Sequence, residues 1–301
     1  MSLIAEAPRF LQVFSDGTVI RTAHRAAACS ATSKDVTIDP SKPITARLFL
    51  PSASAPSPAA PPLPVLLYFH GGGFCIGSTA WLGYHVFLEN LSAAAGATIL
   101  SVDYRLAPEH KLPAAYDDCA AAIRWLCSSA EPWLDAADLS RVFLAGDSAG
   151  GNIAHNVAVK FVGEKNTKIS IKGIIPIHPF FGSEARTELE AAAGSVEEVK
   201  MNDMFWKLSL PEGEDRNFHG CNFEKAEVEW GWFPATAVFI AGMDFLRERG
   251  VMYVDFLKKK GVKNVRIHEA EEEKHVFHVW NPNSDAAVLL QNQIINFMQS
   301  F

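Results

Sequence analysis

Short apolar runs alternate along the chain with longer segments whose apolar residues recur at helical spacing. The runs have the length of strands and lie at 65–69, 97–102, 142–145, 171–177 and 236–241, and the more polar stretch 265–270 is predicted as the last strand. The helical pattern covers 115–127, 152–162, 247–260 and 284–300. Strands that alternate with helices are typical of a parallel sheet with helices on both faces, so the pattern predicts an α/β fold.

Two parts of the chain depart from this alternation. Near the start, the pattern predicts a hairpin over 10–22 and a further strand over 44–51. The Pro/Ala/Ser tract at 51–64 is interpreted as a surface loop rather than a domain linker, because the piece before it lacks a core of its own. Residues 178–235 are too long for an ordinary crossover, and their aromatic and charged side chains favour a small helical cap.

Composition limits the class of protein and its partners. The 301 residues are 49% hydrophobic, which is enough for one large domain or two small ones. A net charge of -7 argues against nucleic acid as the main partner. No apolar stretch reaches membrane-spanning length, and the first ten residues do not resemble a secretory signal. We therefore expect a globular protein without a membrane span.

The cysteines and histidines give little support for a disulfide framework or a metal site. The five cysteines are scattered and form no C-x-x-C pair, which suits reduced thiols in a cytosolic protein. Only His275 and His278 lie close together, and no cysteine neighbours them, so we expect no metal. The expected location is the cytoplasm, with access to the nucleus left open, and a homodimer is left open as the assembly.

The most informative motif follows the apolar run 142–145. The pentapeptide GDSAG at 146–150 leads from this run into a helical pattern. A phosphate-binding loop would need lysine directly after its glycines, and none occurs before Lys160. The alternative is a nucleophile elbow, a turn so sharp that only small residues fit beside its serine. The pattern therefore identifies Ser148 as a candidate nucleophile.

Acyl transfer by a serine also needs donors for the negatively charged oxygen that forms. Ligands bind beyond the carboxyl ends of parallel strands, so each partner of Ser148 should follow a strand. The sequence HGGG at 70–73 follows the run 65–69. Its glycines allow the backbone to approach a substrate closely, and with the N–H of Ala149 they are suited to form an oxyanion hole.

A base and a group that orients it complete the set. Asp244 and His275 follow the last two predicted strands. The chain order Ser148, Asp244, His275 is the one that α/β-hydrolases use. His278, one helical turn later, is left open as the alternative base.

Several longer stretches resemble the plant carboxylesterases, a family in the hormone-sensitive-lipase-like branch of the α/β-hydrolases that also contains the gibberellin receptors. The stretches are HGGGFCIGS at 70–78, DYRLAPEHKLPAAYDD at 103–118, GDSAGGNIAH at 146–155, HPFFGSEART at 178–187 and HVFH at 275–278. The resemblance extends from about Val13 to the C terminus. It implies the α/β-hydrolase fold over a single domain, 1–301, with a cap formed by 1–40 and 180–232.

The resemblance also assigns roles to residues. It implies catalytic Ser148, Asp244 and His275, with oxyanion donors from Gly72, Gly73 and Ala149. The aromatic side chains of residues 178–235 favour a hydrophobic pocket. The residues expected to line it are Phe74, Phe180, Phe205, Trp206 and Val276. For Trp206 two roles stay open, selecting the substrate or holding the cap to the body. We expect a carboxylesterase that hydrolyses a small hydrophobic ester through an acyl-enzyme, without a cofactor.

Three narrower functions are weighed against this one. The stretches 178–187 and 205–213 are similar to family members that hydrolyse strigolactones, which makes that hormone class a candidate substrate. The gibberellin receptors carry an aliphatic residue in place of the catalytic histidine and HGGS in place of HGGG, and the chain departs from them at His275 and Gly73. A lyase that eliminates an acyl group or water would use the same base and oxyanion donors, so elimination stays open.

Overall fold

The computed structural model describes residues 2–51, 61–128, 131–164, 168–192, 194 and 196–301. Its strands are Leu3–Ala7 (β1), Leu11–Phe14 (β2), Val19–Arg21 (β3), Ser33–Asp39 (β4), Ile44–Phe49 (β5), Leu63–Phe69 (β6), Thr98–Asp103 (β7), Ala137–Asp147 (β8), Ile171–Ile177 (β9), Ala235–Ala241 (β10) and Val265–Ala270 (β11). Its helices are Leu82–Ala95 (α1), Ala114–Ser128 (α2), Ala149–Phe161 (α3), Glu188–Ala191 (α4), Val196–Ser209 (α5), Arg247–Lys259 (α6), Phe277–Trp280 (α7) and Asp285–Met298 (α8).

The central sheet has the strand order β11-β10-β9-β8-β6-β7-β5-β4. The strands from β11 to β7 pair in parallel, whereas β5 and β4 are antiparallel at one edge. Every residue of β10 is buried, as expected for a parallel strand that is covered on both faces. The sheet is thus mostly parallel, as the apolar runs predict.

The strands alternate their side chains between two apolar cores. In β6, Val65, Leu67 and Phe69 belong to the core that packs against α2, α3 and α6. Leu66 and Tyr68 belong to the opposite core, which packs against α1, α7 and α8. Because successive strand residues point to opposite faces, a strand covered on both sides is apolar throughout, and this is why the pattern predicts these strands.

The N-terminal residues form a small antiparallel sheet of β1, β2 and β3. The predicted hairpin over 10–22 corresponds to β2 and β3, and β1 adds a strand that the pattern does not predict. Arg21 ties this sheet to the body, since its guanidinium donates to the carbonyl oxygens of Cys75 at 2.7 Å and Ala107 at 2.8 Å. Part of the segment 1–40 that the sequence assigns to the cap, β4, instead pairs with β5 in the central sheet.

Three other elements differ from the sequence prediction. Helix α1 is not predicted, and the structure shows that it begins after Trp81 without a side-chain cap. Helix α3 begins at Ala149 rather than at 152, and the pattern misses its first turn because that turn contains Gly150 and Gly151, which have low helix propensity. Most of the predicted loop at 51–64 lies outside the described residues, but its last two residues begin β6.

The insertion between β9 and β10 contains α4 and α5. Thr187 and Glu190 form a capping box that starts α4. Glu190 also pairs with Arg249 of α6 in a buried, two-pronged ion pair, with contacts of 2.8 Å and 2.7 Å. This pair anchors the insertion to the helix that follows β10. No helix in the described ranges combines the length and the apolar character that a membrane span requires.

Candidate active site

Ser148 occupies the turn between the end of β8 and the start of α3. Its backbone has φ 52° and ψ -117°, a conformation that costs energy in a non-glycine residue. Its N–H donates to the carbonyl oxygen of Ile177 at 2.8 Å, which fixes the turn. A Cβ on Gly146 or Gly150 would overlap the carbonyl oxygen of Phe69 in the neighbouring strand, so the close approach requires glycine at both positions. The turn therefore has the geometry of a nucleophile elbow.

The side chains of Ser148, His275 and Asp244 form a continuous hydrogen-bonded chain. His275 Nε2 lies 3.0 Å from Ser148 Oγ, and His275 Nδ1 lies 2.6 Å from Asp244 Oδ2. Asp244 Oδ1 accepts a further hydrogen bond from the N–H of Leu246 at 2.9 Å, which holds the carboxylate in place. The Asp244 side chain is buried, whereas that of His275 is 30% exposed. The imidazole thus connects a buried carboxylate with the serine hydroxyl.

His278, the alternative base, lies in the core on the face that α1 covers. Its Nε2 is 3.4 Å from the Tyr68 hydroxyl, and its ring packs against that of Phe87 with 4.7 Å between centroids. Burial holds the pKa of His278 well below the ordinary histidine value. The structure therefore places His275, and not His278, against the serine.

The charge of Asp244 controls the protonation of His275. Burial lowers the pKa of His275, but the Asp244 carboxylate and its hydrogen bond outweigh this effect and raise that pKa above the ordinary 6.5. Burial raises the pKa of Asp244, but the neighbouring His275 lowers it below its ordinary value. Asp244 is thus ionised at neutral pH and stabilises an imidazolium that forms beside it.

We expect ester turnover to fall on the acid side with a midpoint above pH 6.5, because protonated His275 cannot accept the serine proton. Since the pKa is raised, activity is lost at a higher pH than an unperturbed histidine would give. Asp244→Asn removes the charge responsible, so the midpoint should move to lower pH and the rate should fall about ten-thousandfold. Profiles of kcat/KM against pH for a neutral ester measure both effects, and an unchanged midpoint would contradict the pairing.

Three backbone N–H groups near Ser148 are candidate donors to a negatively charged oxygen. Gly72 and Gly73 have φ of 110° and 58°, which only glycine adopts readily, and both line the cavity that contains the serine. Ala149 is the first residue of α3, where N–H groups lack partners within the helix and the helix dipole favours negative charge. Within the described residues, no backbone hydrogen bond uses the N–H groups of these three residues. They are suited to receive a negatively charged oxygen.

Asp147 supports this arrangement, and the sequence interpretation did not single it out. The fully buried carboxylate accepts hydrogen bonds from the hydroxyls of Tyr68 at 2.8 Å and Tyr84 at 2.9 Å. It also accepts the N–H of Gly71 at 3.1 Å, so it ties the glycine loop to the elbow. Its place inside GDSAG is the only signal in the sequence, because Tyr84 lies on α1, which the pattern does not predict.

Ser148 and His275 open onto a cavity of about 290 Å³ with largely apolar walls. Of the residues predicted to line the pocket, Phe180, Phe205 and Val276 do so. Phe74 and Trp206 are buried and are not part of the cavity wall. Aromatic side chains from three distant segments complete the wall, namely Phe10, Trp81 and Trp280. A larger groove of about 490 Å³ lies at the amino end of β9, and its described lining residues include no histidine or aspartate.

The adjacent residues Phe205 and Trp206 separate substrate contact from packing. Trp206 is fully buried and stacks on Phe180 with 4.5 Å between ring centroids. We expect Trp206→Ala to destabilise the fold by about 3–5 kcal/mol and to slow all esters alike. Phe205→Ala should instead change the kcat/KM ratio between short and bulky esters about tenfold, because this ring lines the cavity.

Thermal melts and a panel of acetyl to hexanoyl nitrophenyl esters, with one bulky polycyclic ester, measure these two effects. A changed ester ratio in Trp206→Ala, with an unchanged ratio in Phe205→Ala, would reverse the assignment.

One cluster has residue types that bind metals. Polar atoms of His178, Asp244 and His275 lie within 4.8 Å of one another. These side chains are already engaged, since His178 Nδ1 accepts the N–H of Val276 at 3.0 Å and His275 is hydrogen-bonded at both ring nitrogens. Burial lowers the pKa of His178 to about 3, so its ring is neutral. A metal here would have to break the hydrogen-bonded chain of Ser148.

Comparison with known proteins agrees with this architecture. A family model of the α/β-hydrolase fold matches residues 66–279. The chain is 37% identical to probable carboxylesterase 6 of Arabidopsis thaliana, over 92% of this chain and 85% of that protein. It is also 37% identical to the chloroplastic tuliposide A-converting enzyme 2 of Tulipa gesneriana, over 99% of this chain and 79% of that protein. A hyperthermophilic esterase of the archaeon Pyrobaculum calidifontis has a TM-score of 0.75 and 28% identity, over 89% of this chain and 83% of that one.

The mostly parallel sheet, with a serine at its strand-to-helix turn, defines an α/β-hydrolase. Within that fold the chain belongs to the plant carboxylesterase family, and it is accordingly a carboxylic ester hydrolase. The predicted fold class and family are confirmed.

Proposed function

We propose that the chain is a serine carboxylesterase that hydrolyses a small hydrophobic ester through an acyl-enzyme on Ser148. The observation that carries this proposal is the chain from Ser148 Oγ through His275 to Asp244, with contacts of 3.0 Å and 2.6 Å. Its serine end opens into a largely apolar cavity of about 290 Å³, a size that suits a small molecule.

The geometry supports a two-step reaction. His275 Nε2 accepts the hydroxyl proton while Ser148 Oγ bonds to the ester carbonyl carbon. The carbonyl electron pair moves onto its oxygen. This oxygen accepts hydrogen bonds from the N–H groups of Gly72, Gly73 and Ala149. The C–O bond to the alcohol then breaks, and His275 protonates the leaving alcohol. Water repeats the sequence on the acyl-enzyme, releases the acid and restores Ser148.

The proposal also assigns the selection of substrates to the segments that cover the cavity. Residues of α5, such as Phe205, and of the N-terminal segment, such as Phe10, face Ser148 across the cavity. The serine, the histidine and the oxyanion donors all lie on loops after strands or at a helix start, so they fix the ester group. The rest of the substrate therefore extends toward these covering segments, which select among esters.

Isotope labelling tests this function. The protein is incubated with a model ester in ¹⁸O-labelled water, and the products are analysed by mass spectrometry. Hydrolysis of an acyl-enzyme places one ¹⁸O in the acid and none in the alcohol, and alcohol appears in an early burst. An unlabelled acid would show that water does not release the acyl group, and would contradict the proposed hydrolysis.

The tulip relatives favour a second candidate function. Enzymes named for converting tuliposide A are 36–37% identical to this chain over nearly its whole length. A lyase reaction, in which the acyl group is eliminated without attack by water, uses the same base and oxyanion donors. The labelling experiment separates the two, because elimination leaves the acid without ¹⁸O.

Three narrower parts of the proposal concern the substrate, the compartment and the assembly. Strigolactone as a substrate is proposed only from the stretches 178–187 and 205–213, and turnover of a synthetic strigolactone measured by liquid chromatography tests it. The proposed location is the cytoplasm, although the relative named above is chloroplastic. Imaging of a fluorescent fusion distinguishes these compartments. Light scattering tests the proposed homodimer.

A further inference from the structure

The roof of the cavity is one face of α5. Glu198, Met201, Asn202 and Phe205 are spaced by single helical turns, and all four line the cavity. Phe205 lies directly over the glycine loop, because a Cβ on Gly73 would stand 2.5 Å from its ring. This face thus covers the reacting atoms, and its side chains meet whatever the substrate carries beside the ester.

Asn202 is the member of this face that packing does not explain. It is 4% exposed, and its Oδ1 has no hydrogen-bond partner among the residues that the structure describes. Burying an amide oxygen without a donor destabilises a fold, and asparagine is also a poor residue for the middle of a helix. Leucine would suit both the helix and the apolar wall better. A hydrogen bond to a bound molecule would account for the amide.

The neighbouring charges restrict which chemical group pairs with Asn202. Glu198 lies one turn earlier on the same face, and no lysine or arginine is among the described residues that line the cavity. An anionic group would therefore meet a carboxylate without any compensating cation. A hydroxyl is neutral, and because it both donates and accepts, it pairs with either end of the amide.

We infer that Asn202 is a specificity-determining residue that hydrogen-bonds a hydroxyl group, so that the preferred substrates are esters with a hydroxylated acyl or alcohol part. The inference rests on the proposed function, since it requires the ester carbonyl at Ser148. The apolar walls contact the carbon chain, and Asn202 contacts the hydroxyl. An ester that lacks the hydroxyl leaves the buried amide oxygen unpaired and is a poorer substrate.

Two matched ester pairs, measured by titration of released acid, test the inference. Methyl 3-hydroxybutanoate against methyl butanoate probes the acyl part, and 2,3-dihydroxypropyl butanoate against propyl butanoate probes the alcohol part. In at least one pair, wild type should show a kcat/KM about tenfold higher for the hydroxylated ester. Asn202→Leu has a similar side-chain volume without hydrogen-bonding groups, so it should abolish that preference and leave the melting temperature unchanged or raised.

Asn296→Leu is the matched control, because Asn296 is an exposed residue of α8 outside the cavity wall. It should keep the wild-type preference. If Asn202→Leu does not fold, Asn202→Ala replaces it and should lose the same preference. The inference is overturned if wild type prefers neither hydroxylated ester, or if the preference survives in the Asn202 variants. Hydrolysis of the unhydroxylated esters would leave the proposed function standing in those cases, whereas no hydrolysis of any ester would contradict the function itself.

Discussion

Alanine at position 148 is expected to lower kcat/KM for an acyl ester about a million-fold and to leave the melting temperature nearly unchanged. The substitution removes the oxygen that attacks the ester, so no acyl-enzyme forms. It removes little packing, since the lost atom is a hydroxyl that bonds to His275. Alanine also keeps the positive φ that serine has at this turn, so the backbone strain is similar. Steady-state kinetics and thermal melts measure both quantities.

The control for this experiment is Ser128→Ala, which removes an exposed hydroxyl at the end of α2. It should retain full turnover. Turnover of Ser148→Ala near the wild-type level would show that the serine at the elbow is not the nucleophile, whatever the geometry around it.

Replacing His275 with alanine should cost nearly as much as replacing Ser148. The two residues act as a unit, since without a base at 3.0 Å the serine hydroxyl keeps its proton. Their losses should therefore not add, and the double variant should resemble either single variant. Kinetics of the three variants on one ester, each corrected for residual wild-type enzyme, measure this directly.

His278→Ala separates the base from its neighbour in the sequence. His278 is buried in the core, so its removal should lower stability by a few kcal/mol, as cavities do, but turnover per folded molecule should fall far less than in His275→Ala. Melts report the first effect and kinetics well below the melting temperature report the second. The opposite ranking of the two variants would mean that the wrong histidine is assigned.

The sheet could be predicted because both of its faces are covered. Apolar runs predict β9 with its observed bounds and β10 to within one residue. β11 lies at one edge of the sheet and is partly exposed, and it is predicted because it continues the alternation of strands and helices. The pattern misses two other elements. β4 lies at the edge and mixes buried with exposed residues, and α1 begins without a capping side chain.

The candidate triad could be predicted because topology places it. Ser148, Asp244 and His275 each follow a strand of the parallel part of the sheet, and the carboxyl ends of such strands meet at one edge. Their separation along the chain therefore does not obscure their proximity. The choice between His275 and His278 was left open by the sequence, because both follow β11 and only the backbone path decides which ring turns outward.

The cavity wall could not be predicted in the same way. Phe205 and Trp206 are adjacent, yet one lines the cavity and the other is buried beneath it. Which face of α5 meets the site depends on how the insertion docks on the body, and spacing along the helix does not reveal that. The role of Asn202 could not be predicted either, because only the burial of its Oδ1 without a partner distinguishes it from an ordinary polar helix residue.

The formation of an acyl-enzyme on Ser148 is tested most directly by mass spectrometry of the intact protein, quenched in acid during turnover of a fast nitrophenyl ester. The protein mass should increase by that of one acyl group, and peptide mapping should locate the group on the segment that contains Ser148. The Ser148→Ala variant should show no increase. An acyl group on another residue, or the same increase in the alanine variant, would contradict the assignment of Ser148 as the nucleophile.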